Sequence, residues 1–199
     1  MKYLKFTLVF VTFILFSNTA LSADNPAIEI NLPPAFEKNI CKTKIWDKVY
    51  ISWNGVKDLR SSKSVAAISK KNDQPTEFFT VKPVSDYFDQ LVPTVLKECG
   101  INIVSKNQKH TYDVSLSINN FGVEMDKALV KSSINAESRI TLDFESEYSS
   151  FEINVNYLSD SKGSSFKSAK KLESLISELM LGTLTEMIES KQMDFLQNL

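Results

Sequence analysis

The sequence predicts an α+β fold: an antiparallel sheet of four to five strands covered on one face by two helices, a two-layer sandwich. Three observations lead there. Four stretches alternate apolar and polar residues, the pattern of half-buried strands. Two others repeat apolar residues at helical spacing. Antiparallel strands with one wet side need a cover on the other, and two amphipathic helices would supply it.

Residues 1–23 have the three parts of an export signal. Lys2 and Lys5 make the positive end, Phe6–Phe16 (FTLVFVTFILF) is an apolar run of 11 residues, and Ser17–Ala23 turns small and polar. A bilayer-spanning helix needs about 20 apolar residues, so a signal peptide cleaved after Ser22 or Ala23 is expected rather than an anchor. A bacterial lipoprotein carries a cysteine directly after the cut to receive its lipid. Here Ala23, Asp24 and Asn25 follow, and the first cysteine is Cys41. The expected product is a protein released into the periplasm or secreted, with only indirect membrane association.

Removing residues 1–23 takes two lysines from the 23 basic residues and nothing from the 24 acidic ones, leaving a net charge of about −3. No nucleic-acid partner is expected, because such binders present a strongly basic face. The remaining length suits one domain with a real core.

Residues 24–47 are polar and proline-bearing and read as an extended N-terminal arm; residues 48–199 read as the α+β domain. Val49, Ile51 and Trp53 alternate with polar neighbours in a first strand. Val65–Ile68 and Glu77–Val81 read as arms of a loose hairpin turning near KKNDQP. Ser85 is placed to cap a helix whose apolar face runs from Phe88 to Cys99 and which Gly100 stops. Pro93 inside it predicts a kink. Ile101–Val104, then Tyr112 to Ile118, Ile140 to Phe144, and Phe151 to Tyr157 read as strands, the last two joined by a hairpin near Tyr148. A long helix is expected from Ser168 to about Gln197, with residues 192–199 breaking away or projecting.

Cys41 precedes the first strand and Cys99 ends the helix that runs back along it, which puts both at one end of the sheet. In an oxidising compartment this favours a Cys41–Cys99 disulfide over two buried thiols.

Nothing in the chain announces catalysis. The sole histidine, His110, sits in a lysine-flanked turn without a nucleophile elbow or paired ligand nearby, and reads as a solvated loop residue. No HExxH, phosphate-binding loop or dinucleotide motif occurs. Asp143, Glu145 and Glu147 share one strand face and could hold a hard cation. Arg139 and Thr141 continue that row, as on the wet side of a sheet. Trp46, Tyr50 and Trp53 could form an aromatic platform, but Trp53 shares the inward parity of Ile51. Lys167, Lys170 and Lys171 at the start of the last helix read as a solvated turn. No catalytic residue, cofactor or metal site is expected.

The order of the pieces resembles the YajG-like lipoproteins of Gram-negative bacteria. IEINLPP, a strand ending in VKDLR, a helix closing with LKECGINIV, the strand YDVSLSINNF followed by GVEMDKALVKSS, and a last helix with LTEMIESKQMDFL carry the likeness over residues 28 to 197. The resemblance implies an envelope-facing α/β domain without catalytic residues. It also matches Asp58 and Arg60 to an acid-x-Arg turn that would hold the following loop. The missing lipidation cysteine is the departure. The function expected is a non-catalytic periplasmic protein-binding or accessory module with an envelope protein partner. The alternatives are a lipid or glycolipid carrier and a secreted effector.

Overall fold

A computed structural model describes residues 27–41, 46, 48–70, 73–127, 132–163 and 169–198; the expected signal peptide lies outside them. In chain order the elements are β1 (Ala27–Ile28), α1 (Phe36–Ile40), β2 (Tyr50–Asp58), β3 (Ala66–Lys70), β4 (Thr76–Thr80) and α2 (Val84–Glu98). They continue with β5 (Asn102–Val104), β6 (Tyr112–Lys127), β7 (Ser132–Glu145), β8 (Ser150–Gly163), α3 (Ala169–Glu189) and a 310 helix (Lys191–Asn198).

The class is α+β as expected, but the sheet has eight strands and is mixed, not four to five antiparallel ones. The 16-residue β6 is its spine. One side of β6 pairs with antiparallel β7 along its whole length. The other side takes two parallel strands in tandem: β2 along Tyr112–Ile118, then β3 along Val123–Lys127. β5 flanks β2 in parallel, β4 folds back antiparallel on β3, and β1 runs parallel to β4. β8 pairs antiparallel with β7.

A bulge between Ile118 and Asn120 makes the tandem arrangement possible. Before it, Tyr112, Val114, Leu116 and Ile118 are buried; after it, Phe121, Val123 and Met125 are. The inward row thus changes from even to odd positions, and Asn119 and Asn120 both fall outside it.

α2 lies over β2. Its buried Phe88 meets Phe121 edge to face, with ring centroids 5.6 Å apart. Pro83 holds the N-cap position instead of Ser85, whose hydroxyl turns to Asp86. The helix is continuous through Pro93. It ends where Gly100 takes φ 93°. Gly100 N–H donates to the Lys97 carbonyl (2.9 Å) and Ile101 N–H to that of Leu96 (3.0 Å), a Schellman closure that only glycine enters without strain.

α3 covers β7 and β8 through Ile176, Leu179, Met180, Leu184 and Met187. It stops at Glu189, short of the expected Gln197, and the following 310 helix docks by burying Met193 and Leu196. Gly182 sits against the face of the Tyr157 ring, so closely that a Cβ there would overlap the ring carbons. Alanine ordinarily stabilises a helix interior. Gly182→Ala is instead expected to destabilise by about 1–3 kcal/mol through overpacking, measured as a lower urea midpoint.

The segment read as an extended arm is folded onto the domain. β1 pairs with β4, and Phe36, Ile40 and Trp46 are buried. α1 breaks the extended reading because Pro33 and Pro34 turn the chain, and Ala35 at φ 54° starts the helix. Cys41 and Cys99 are joined in a disulfide with Cα atoms 5.0 Å apart, tying the end of α1 to the end of α2.

Candidate functional site

Three polar constellations and one strand edge are the places where this domain could act. The first lies where the chain leaves β2 and crosses the bulge to become β3. Leu59 N–H donates to the Ile118 carbonyl and Val123 N–H to that of Val65, so the backbone is paired on both sides of the crossing. Arg60 fills the gap between. Its Nε and Nη2 donate to the two carboxylate oxygens of Asp58 at 2.9 and 2.8 Å, and Nη1 donates to the Phe121 and Ser64 carbonyls at 3.1 and 3.3 Å. Arg60 N–H also reaches Asp58 Oδ1, and Lys63 Nζ adds a third cationic contact at 3.2 Å. Asp58 and Arg60, the matched turn residues, thus bond to each other and, through Arg60, to the Ser64 and Phe121 carbonyls.

A cavity of about 270 Å³ opens beside this crossing, lined by Arg60, Ser62, Ser64, Asn120 and Glu137 among others. Two of its charges are already engaged: Glu137 accepts from Asn120 Nδ2 (2.6 Å) and from Arg139 Nε (2.7 Å), and Arg60 is bonded as described; Glu124 also lines it.

Burial alone would raise the Asp58 carboxyl, but hydrogen bonds from Arg60 and then Lys63 outweigh it and hold the group below its usual range. A carboxyl lowered in the folded state adds stability above its unfolded pKa and loses it as pH falls through the folded value. Stability should therefore drop below about pH 4. Asp58→Asn should flatten that acid limb, as followed by urea titrations across pH 2–6.

The second constellation surrounds His110. Its Nδ1 lies 2.7 Å from the Gln108 carbonyl and its Nε2 3.5 Å from Asp113 Oδ2. Asp113 also accepts from Asn54 (3.2 Å) and from Ser52, which is buried. Burial would raise the Asp113 carboxyl, yet the bonds from Ser52, His110 and Asn54 lower it. The order is serine, acid, imidazole. Nucleophilic catalysis needs the imidazole in the middle to take the hydroxyl proton, so this arrangement lacks the geometry for it.

The third is the acidic row. Asp143 and Glu145 lie on β7, but Glu147 falls beyond its end, and Glu152 on β8 stands opposite Asp143 instead. Burial first, and then the Glu152 charge, push the Asp143 carboxyl up. Among the described residues no group of three or more His, Cys, Asp or Glu could hold a metal ion. The aromatic trio is not a platform: Trp46 is buried, and Trp53 is half-buried with Nε1 donating to Asp89 (2.8 Å). Lys170 and Lys171 open α3, while Lys167 lies outside the described residues.

The edge belongs to β8. Among the described residues this 14-residue strand pairs only with β7, on one side. Asn154 N–H points away from β7 and donates to Gln192 Oε1 of the 310 helix at 3.2 Å. In an antiparallel strand a residue sends N–H and C=O to the same side. Asn156, Leu158 and Asp160, in phase with Asn154, therefore turn theirs to the open edge, and Leu158 is 68% exposed. Sequence reasoning read this strand only as far as Tyr157, where inward apolar residues stop, and so missed its length.

Fold and site together define an α+β domain with a mixed eight-stranded sheet. A family model described as an uncharacterized lipoprotein matches residues 47–197. The chain belongs to this family, the YajG-like lipoproteins, and membership fits a cell-envelope protein. Both cysteines of the sequence are joined to each other. No curated protein matches the chain. Among solved structures, protein XCC0632 from Xanthomonas campestris, of family DUF330, is similar over 87% of this chain and 98% of its own, with 9% identity and a TM-score of 0.55. An uncharacterized protein of known structure matches 87% of this chain and 99% of its own at 8% identity and a TM-score of 0.40. Likeness at such identity concerns the fold, which does not by itself carry function.

Proposed function

We propose that the protein is a non-catalytic accessory module on the periplasmic side of the envelope that holds another envelope protein. The observation that carries this reading is the edge of β8, a long ladder of backbone donors and acceptors that no second strand among the described residues covers. Extended segments of partner proteins bind such edges by adding a strand. The polar groups elsewhere that resemble chemistry are committed to holding loops, as the Asp58–Arg60 and Ser52–Asp113 contacts illustrate.

The carrier alternative needs room for apolar cargo between helices and sheet. That layer is occupied by Phe88, Val92, Leu96, Ile176, Leu179 and Met180, each at most 1% exposed, which a lipid would have to displace. The test is cross-linking in living cells from photoreactive residues placed one at a time over the exposed surface. Adducts with a defined envelope protein are expected. Their absence from every position, or recovery of the protein only outside the cell, would overturn the proposal and favour a secreted effector.

A further inference from the structure

We infer that the β8 edge receives an extended segment in which basic residues alternate with apolar ones; this rests on the reading of the protein as a binding module. The backbone of Asn156, Leu158 and Asp160 supplies the ladder. Gln192 already occupies Asn154 N–H, so the free stretch begins just beyond it.

The side chains around the ladder specify the incoming strand. On the outer side of β7 and β8 stand Glu137, Asp143, Glu145, Glu152 and Asp160. Among residues whose side chains are described there, the one cation is Arg139, and its Nε is already on Glu137 at 2.7 Å. Asp143 and Glu152 face each other across the strands with like charge; burial first and then Glu152 raise the Asp143 carboxyl, while Lys57 on β2 opposes them. A lysine or arginine next to Glu152 or Asp160 on an added strand would neutralise this row. On the opposite side the neighbours are Val155 and Tyr157, next to the layer built by α3 and the 310 helix, so the intervening residues of the guest are apolar. A second copy of this chain paired antiparallel about Asn156 would set Glu152 against Asp160, an unfavourable like-charge contact.

The test is an amide NMR titration of the exported full-length chain with two soluble nonapeptides, one alternating Lys and Val, the other Glu and Val. The lysine peptide is expected to shift the amides of Asn156, Leu158 and Asp160, and the glutamate peptide to leave them unmoved. Asn156→Pro, which an edge strand tolerates where its N–H faces outward, is expected to abolish the shifts. The pair Glu152→Lys and Asp160→Lys, remote from the core, is expected to weaken binding at least about fivefold for two partly exposed charge contacts. Equal response to both peptides, shifts confined to another surface, or a dimer joined through β8 in sedimentation overturns the inference. Adducts formed in cells at other surfaces would then leave the binding function standing, whereas no envelope adduct from any position removes both.

Discussion

Arg60→Met is expected to destabilise the domain by about 3–5 kcal/mol, the range for removing one member of a buried ion pair. The Arg60 side chain is 4% exposed and that of Asp58 13%. Methionine keeps much of the stem but removes every donor. Asp58 then keeps its charge in a half-dry site with only Lys63 to answer it, and the Phe121 and Ser64 carbonyls lose their partner. Both carbonyls lie at the break between β2 and β3, so the damage falls on the joint that lets β6 serve two neighbours. Urea unfolding followed by circular dichroism measures it. The double variant Asp58→Asn, Arg60→Met should lose less than the two single losses added together, because no lone charge is left behind. A loss under about 1 kcal/mol for Arg60→Met, in the range of exposed pairs, would refute this role.

Removing the disulfide is the second large effect. The bridge closes a sequence separation of 58 residues. On the chain-entropy model such a loop is worth about 4 kcal/mol. Replacing both Cys41 and Cys99 by serine should lower the urea midpoint accordingly. α1 has five residues, too few to hold on its own propensity, and the bridge fixes its end to α2. The β1–α1 segment should therefore become protease-sensitive before the rest of the domain. Thiol counting on the denatured, unreduced protein should find none free; two reactive thiols would contradict the bridge.

The readable parts of this fold were those with an unbroken period. Ile140 to Phe144 and Phe151 to Val155 alternate without a slip, and the structure buries those apolar positions, Phe151 partly and the others fully. Val65–Ile68 and Glu77–Val81 were also readable as arms, and β3 pairs antiparallel with β4. β6 was read for only half its length because its pattern changes phase at Asn119–Asn120. Two strict alternations, Tyr112 to Ile118 and Phe121 to Met125, are offset by one residue, which is the mark of a bulge and was present in the letters. Parallel pairing was not legible, since β2, β3 and β6 meet across long sequence separations that no local period records. Short β5 falls within the strand read at Ile101–Val104, whereas β1 exists because β4 offers it backbone partners. The β8 edge was hidden for another reason: beyond Tyr157 the row in phase with Val155 continues with the polar Ser159 and Ser161, and the other row holds the exposed Leu158, so no apolar alternation marks the stretch as strand, only its pairing with β7.

Because β2 and β3 lean end to end on the same rail, neither half of the sheet can peel away without stripping its counterpart of support. Cooperative units that open separately require a seam crossed by few bonds, and the one place such a seam would run is riveted by a guanidinium. A rigid hull of this kind leaves its rim as the place where the proposed partner would be received.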